Sequence, residues 1–117
     1  MSYWEWKNIW PNGTRILNPE KRMKHTIKQE EHTTKGAFYI DKDGHRAAEM
    51  TYSRAGDTLI IIDHTEVLEQ LKGTGAGKAL VNAAVGMARE KGIKIIPLCP
   101  FAAAMFRKMP EWGDVLQ

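Results

Sequence analysis

A single cysteine, Cys99, stands among the 117 residues of this chain. That rules out an internal disulfide and any zinc site built on paired cysteines, and it suits a reducing compartment. No apolar run approaches the ~20 residues that span a bilayer, and the first residues do not read as a signal peptide. His25, His32 and His45 read as loop or turn residues at irregular spacing, so no metal site is expected. A large charge excess is also missing, since the formal net charge is +3. Residues 1–35 hold seven Lys/Arg against four Asp/Glu, while residues 36–117 hold ten of each. The surplus gathers at Lys21-Arg22-Met23-Lys24 and Lys28 without any nucleic-acid motif, and such scattered charges are usually a solvated surface. A soluble, cytoplasmic protein follows, with neither membrane nor nucleic acid as an expected partner.

With 43% hydrophobic and 26% charged residues, the composition supports one globular domain with a real core. Residues 1–22 stand apart. Trp4, Trp6 and Trp10 precede a Pro11-Asn12-Gly13 turn signal and Pro19, so this stretch is set off as an N-terminal extension and the domain is assigned to 23–117. From Gly36 the pattern is regular. Ala37–Ile40 reads as a strand, Asp43-Gly44 as a hairpin turn, Arg46–Tyr52 as an alternating strand and Thr58–His64 as a third. Lys78–Lys91 carries an apolar stripe at helical spacing and Gly92 marks its end. Gly86 inside it suggests close backbone packing, because glycine there costs about 1 kcal/mol relative to alanine. Ile93–Leu98 reads as a further strand, and Ala102–Lys108 as a short helix ended by Pro110. The expected fold is α/β (α+β): an antiparallel meander, then a parallel strand–helix–strand crossover forming a mixed sheet.

Between the third strand and the long helix lies Lys72-Gly73-Thr74-Gly75-Ala76-Gly77. Alternate glycines let the backbone curl so that several N–H groups converge at a helix N-terminus, a favourable place for an anion. A Walker A loop is excluded, because Ala79 follows Gly77-Lys78 where Ser or Thr is needed, and Lys72 stands where its first glycine belongs. The dinucleotide fingerprint fails at Lys78, and no acid stands near Ile93–Ile96 to hold a ribose.

The loop resembles the acyl-coenzyme A pyrophosphate signature of the GNAT superfamily of N-acetyltransferases, Arg/Gln-x-x-Gly-x-Gly/Ala, with Lys72 in the first position. Ile62-Asp63-His64-Thr65-Glu66-Val67 before it and Ile96-Pro97-Leu98-Cys99-Pro100-Phe101 after the helix resemble the small, single-domain GNAT-like family, from about Lys35 to Leu116. The resemblance implies an N-acetyltransferase that uses acetyl-CoA. Thr65, Glu66 and Val67 would then meet the pantetheine arm. The backbone of Gly73, Thr74, Gly75, Ala76, Gly77 and Lys78 would take the pyrophosphate, with charge from Lys72 and Lys78. In the resembled family a cysteine in the Pro-x-Cys position, here Cys99, has been considered catalytic.

His64, at the end of a buried strand, is the candidate general base. Strand alternation places it on the face of Ile60 and Ile62, opposite Asp63. If the Cys99 strand pairs with Thr58–His64, the two carboxyl ends meet and a Cys99–His64 pair could form an acyl-enzyme. Glu49 is a further carboxylate that could orient an acceptor, and Asp57, Asp63, Glu66 and Glu69 form an acidic stretch suited to a cationic amine. Phe101, Met105 and Phe106 read as core or as packing for a cofactor base. The acceptor is expected to be a small-molecule or peptide amine, and the protein a monomer or weak homodimer. The alternative is a coenzyme A-binding or protein-interaction module with little turnover.

Overall fold

The computed structural model describes residues 25–117; the proposed extension and the three tryptophans lie outside them. Five strands form one sheet in the order β1-β2-β3-β4-β5. They are β1 (Lys28–His32), β2 (Lys35–Lys42), β3 (His45–Arg54), β4 (Leu59–Val67) and β5 (Lys94–Pro97). The first four run antiparallel, and β5 joins β4 in parallel. Helix α1 (Ala76–Lys91) makes the crossover, and α2 (Pro100–Lys108) follows β5 directly. The expected mixed sheet is therefore present, with one strand more than the sequence suggested.

That strand is β1, Lys-Gln-Glu-Glu-His, which is exposed or half-exposed throughout. Among the described residues it pairs along one edge only, with β2, and polar side chains hold its inner face. Gln29 Nε2 donates to the Tyr52 hydroxyl at 2.8 Å, and that hydroxyl donates to Glu31 at 2.7 Å. Arg54 Nε donates to the other Glu31 oxygen at 2.8 Å. The Arg54 and Tyr52 hydrogen bonds hold the Glu31 carboxyl below its ordinary range. Burial, reinforced by the bond to Glu31, pushes the Tyr52 phenol up to about 12.

The Asp43-Gly44 turn forms as expected, both residues having positive φ (54° and 82°) in the manner of a type I′ hairpin. The stripe Leu80, Val81, Ala84, Val85 and Ala88 of α1 joins Phe38, Met50, Tyr52, Ile60 and Ile62 in a single core. Gly86 is not the point of close packing. It is exposed, and a Cβ there would meet open space. The tight glycines are Gly36, where a Cβ would strike the Tyr52 ring, and Gly77, where it would strike Phe101. Helix α1 begins at Ala76, two residues earlier than the apolar stripe indicated. Helix α2 begins at Pro100, whose fixed φ and missing N–H suit a first turn.

Candidate active site

The glycine loop is built outward from Leu71, which is buried at the end of a 3-10 turn over Glu69–Leu71. Leu71 O accepts both the Thr74 amide at 3.2 Å and the Thr74 hydroxyl at 2.5 Å. Gly73 and Gly75 lie in the left-handed region (φ 77° and 83°), and Gly75 is the N-cap of α1. The first helical bond runs from the Ala79 amide to Gly75 O at 2.9 Å. Among the described residues, the amides of Gly73, Gly75, Ala76, Gly77 and Lys78 therefore have no backbone acceptor. No side chain caps this end, and no acid occupies its first turn. Unpaired amides and the positive end of the helix dipole coincide at one place, exposed at Gly73, Gly75 and Lys78 and buried at Ala76 and Gly77, which fits a phosphate oxygen. The Phe101 ring, 40% exposed, lies against Gly77 and walls this place from the side of α2. Lys72 and Lys78 are both exposed, and Lys72 is 3.5 Å from Glu69 in an exposed pair that leaves its charge available.

The neighbouring opening is created by β4 itself. Leu59–Ile62 pairs with Lys94–Pro97, and the amides of Leu98 and Cys99 both close on Ile62 O at 3.1 Å. Beyond that point β4 keeps β3 and, among the described residues, has no partner on its β5 side. A bulge marks the change: Tyr52 pairs with Ile62 and Thr51 with His64, so Asp63 is the extra residue.

The bulge corrects the expected placement of His64. Cross-strand partners share a face, so Thr65 and Val67 continue the buried face of Met50 and Ala48. His64 and Glu66 instead point with Thr51 and Glu49 to the opposite, polar face. His64 is exposed there, and so is Asp63, which accepts a hydrogen bond from Ser53 Oγ at 2.7 Å. An open depression of about 220 Å³ adjoins this face, lined by Arg46, Glu49, Glu66 and Leu68 together with Ala47 and Ala48. Arg46 forks between Glu30 and Glu49 at 2.7 and 2.6 Å and stacks on the Tyr39 ring, so Glu49 is already engaged. Glu66 stands directly across from Glu49.

Cys99 faces the other side of the opening. It is buried, it precedes Pro100 as the N-cap of α2, and its thiol donates to Thr65 Oγ1 at 3.4 Å. The geometry thus pairs Cys99 with Thr65, while His64 leaves β4 on the polar face. Burial pushes the Cys99 thiol up, but the Thr65 side chain and the amides of Ala102, Phe101 and Thr65 outweigh it, and the net direction is down. No cap hydrogen bond closes on the neutral thiol. The first-turn amides act instead on the thiolate, as a helix N-terminus does. No cluster of His, Cys, Asp or Glu among the described residues is arranged to hold a metal, and no helix of the described residues is long and apolar enough to cross a membrane.

One contributor was read only in part and another escaped the sequence. Phe101 was expected as core or as packing for a cofactor base, and nothing local connects it to Gly77. His25 lies 49 residues before Thr74, yet its Nε2 sits 3.1 Å from Thr74 Oγ1 and 3.3 Å from Thr74 O.

The sequence profile described as GCN5-related N-acetyl-transferase matches residues 37–115. Among solved structures, a GCN5-like N-acetyltransferase-type protein from Staphylococcus aureus is 40% identical, over 77% of this chain and 87% of its own, with a TM-score of 0.61. A ribosomal-protein-alanine N-acetyltransferase from Brucella melitensis shares the fold at 18% identity and a TM-score of 0.55, over 67% of this chain and 62% of its own. An IAA acetyltransferase from Bacillus cereus does so at 20% identity and 0.51, over 64% and 53%. No functionally curated protein sequence matches significantly.

Proposed function

The chain belongs to the GCN5-related N-acetyltransferase family, and from that membership we propose that it passes an acetyl group from acetyl-coenzyme A to an amine of a small molecule or peptide. The observation that carries the reading is the set of five amides without a described backbone acceptor at the start of α1, beside a strand edge without a partner among the described residues. The amides of Gly73, Gly75, Ala76, Gly77 and Lys78 hold the pyrophosphate, and Lys72 and Lys78 add charge. The free edge of Thr65, Glu66 and Val67 supplies amide and carbonyl groups for a pantetheine arm, which carries matching groups of its own. Amides along that edge also provide donors for the oxyanion that develops in acyl transfer.

An amine must lose a proton to attack. His64, exposed on the polar face beside Glu66, is the base in direct transfer. The acidic surroundings of Glu49, Asp63 and Glu66 draw a cationic acceptor to that face. A second reading rests on the position of the Cys99 thiol, at the N-cap of α2 and 3.4 Å from Thr65 on the stretch of β4 beyond β5. In it the Cys99 thiolate takes the acetyl group from the thioester, releases the coenzyme as a thiol, and yields the acetyl group to the amine.

Intact-protein mass spectrometry after incubation with acetyl-coenzyme A, for wild type and Cys99→Ala, separates these routes. A single acetyl adduct confined to the wild type and discharged by amines supports the acyl-enzyme. Amine-dependent thiol release without an adduct, lost in His64→Ala, supports direct transfer. Binding without thiol release for any amine in a broad panel would make the protein a binding module.

A further inference from the structure

We propose that His25 is a positioning residue for the acyl-donor loop, clamping Thr74 so that the amides around it converge. The inference rests on the reading of that loop as a pyrophosphate site. The proton assignment follows from the hydrogen bonds. Thr74 Oγ1 has one proton, and it is committed to Leu71 O at 2.5 Å. Its remaining capacity is as an acceptor, so His25 Nε2 carries the proton and donates to Thr74, shared between Oγ1 at 3.1 Å and O at 3.3 Å.

The sheet brings these distant residues together. Lys28, Tyr39, Glu49 and Glu66 form one row across four strands, so the chain ahead of β1 leaves the sheet at the end where β4 runs into the loop. Ile27 packs against the core and fixes the approach of His25, which is half-buried. Thr74 sits between two left-handed glycines, the most permissive pair in the loop. Leu71 ties it from within, and His25 is the described side chain from a distant segment that ties it from outside. Without that second tie, the Gly73 and Gly75 peptides are free to rotate, and the binding of an anion has to order them.

The test compares acetyl-coenzyme A with S-acetylpantetheine, which lacks the pyrophosphate, in wild type, His25→Ala and His25→Gln. Binding is followed by calorimetry and competition. Loss of one such hydrogen bond corresponds to about a tenfold weakening. The expected result is about a tenfold higher Kd for acetyl-coenzyme A in His25→Ala, near-complete recovery in His25→Gln, and unchanged binding of S-acetylpantetheine. In turnover, KM for acetyl-coenzyme A rises while kcat holds. Equal affinity of wild type and His25→Ala for acetyl-coenzyme A overturns the proposal and leaves the loop reading intact. So does an equal loss for both probes, which marks a general structural role. If wild type binds acetyl-coenzyme A no better than S-acetylpantetheine, the loop reading itself fails. Should His25→Ala not fold, Thr74→Val removes the hydroxyl from the other side, and an unchanged Kd there overturns the clamp.

Discussion

From Ile60 to Ile62 the fourth strand is paired on both sides, and Ile60 and Ile62 are wholly buried. Asp63 is the unpaired bulge residue, and from His64 to Val67 the same strand is, among the described residues, paired with β3 alone; its side chains there are polar apart from Val67. One extra residue separates the two regions. The first half anchors the sheet to α1; the second exposes an edge, turns His64 outward and brings Thr65 to Cys99. If the proposed function holds, stability and chemistry divide along one strand, and each half should tolerate a disturbance of the other.

The largest effect is expected in the anchored half. Ile62→Ala should cost about 2–5 kcal/mol, by lost transfer energy and an unfilled cavity. Thr65→Ala, three residues on, should cost less than about 1 kcal/mol. Urea unfolding of the two variants measures the contrast directly, and equal costs would erase the proposed division. Deleting Asp63 is the sharper probe of function. The deletion leaves every other pair of β3 and β4 in place and removes only the bulge. The protein should still fold, but acetyl transfer should fall about 100-fold, the scale on which a displacement of about 1 Å in a reacting group is felt. Thiol release with an amine reads it out. Retained activity would mean that the bulge is not what opens the site.

The loop itself comes next. In Gly77→Ala the new Cβ meets the Phe101 ring, so about 1–3 kcal/mol of stability should be lost. Donor binding should weaken as Phe101 and the first turn of α1 move apart. Adding Phe101→Ala should restore most of the stability. If it does not, the strain lies elsewhere than the contact between α1 and α2.

Much of this arrangement could be read from the chain. The glycine spacing at 73, 75 and 77 announced the loop because two of those positions require a left-handed backbone and the third a missing Cβ. Periodicity marked the core face of α1, and Asp43-Gly44 marked a hairpin, since both signals are local. The errors fall where the cause is not local. Strand β1 has no alternation to detect, because its inner residues Gln29 and Glu31 are satisfied by Tyr52 and Arg54 across the sheet. The bulge at Asp63 is a matter of register against Thr51 and Tyr52, so alternation counted along β4 alone put His64 on the wrong face. Gly86, inside the helix, was expected to pack closely, and only the position of Phe101 shows that Gly77 is the tight glycine.

The smallest expected effect concerns the contact that bridges the opening. Cys99 is the only cysteine, so thiolate absorbance reports it alone once Cys99→Ala supplies the baseline. Burial raises its pKa, but hydrogen bonding from Thr65 and the amides of α2 brings the net value below that of an ordinary thiol. An acid depressed in this way stabilises the fold at pH values above its unfolded pKa, and the contribution disappears as pH falls through the folded pKa. Thr65→Val removes the side-chain partner and leaves the α2 amides in place. Its titration should therefore shift upward, so that just below the ordinary cysteine value the thiolate fraction drops severalfold. The stability margin at alkaline pH should narrow with it. An unchanged titration would assign the depression to backbone amides alone, those of α2 and of residue 65, and would leave the Thr65 hydroxyl no part in it.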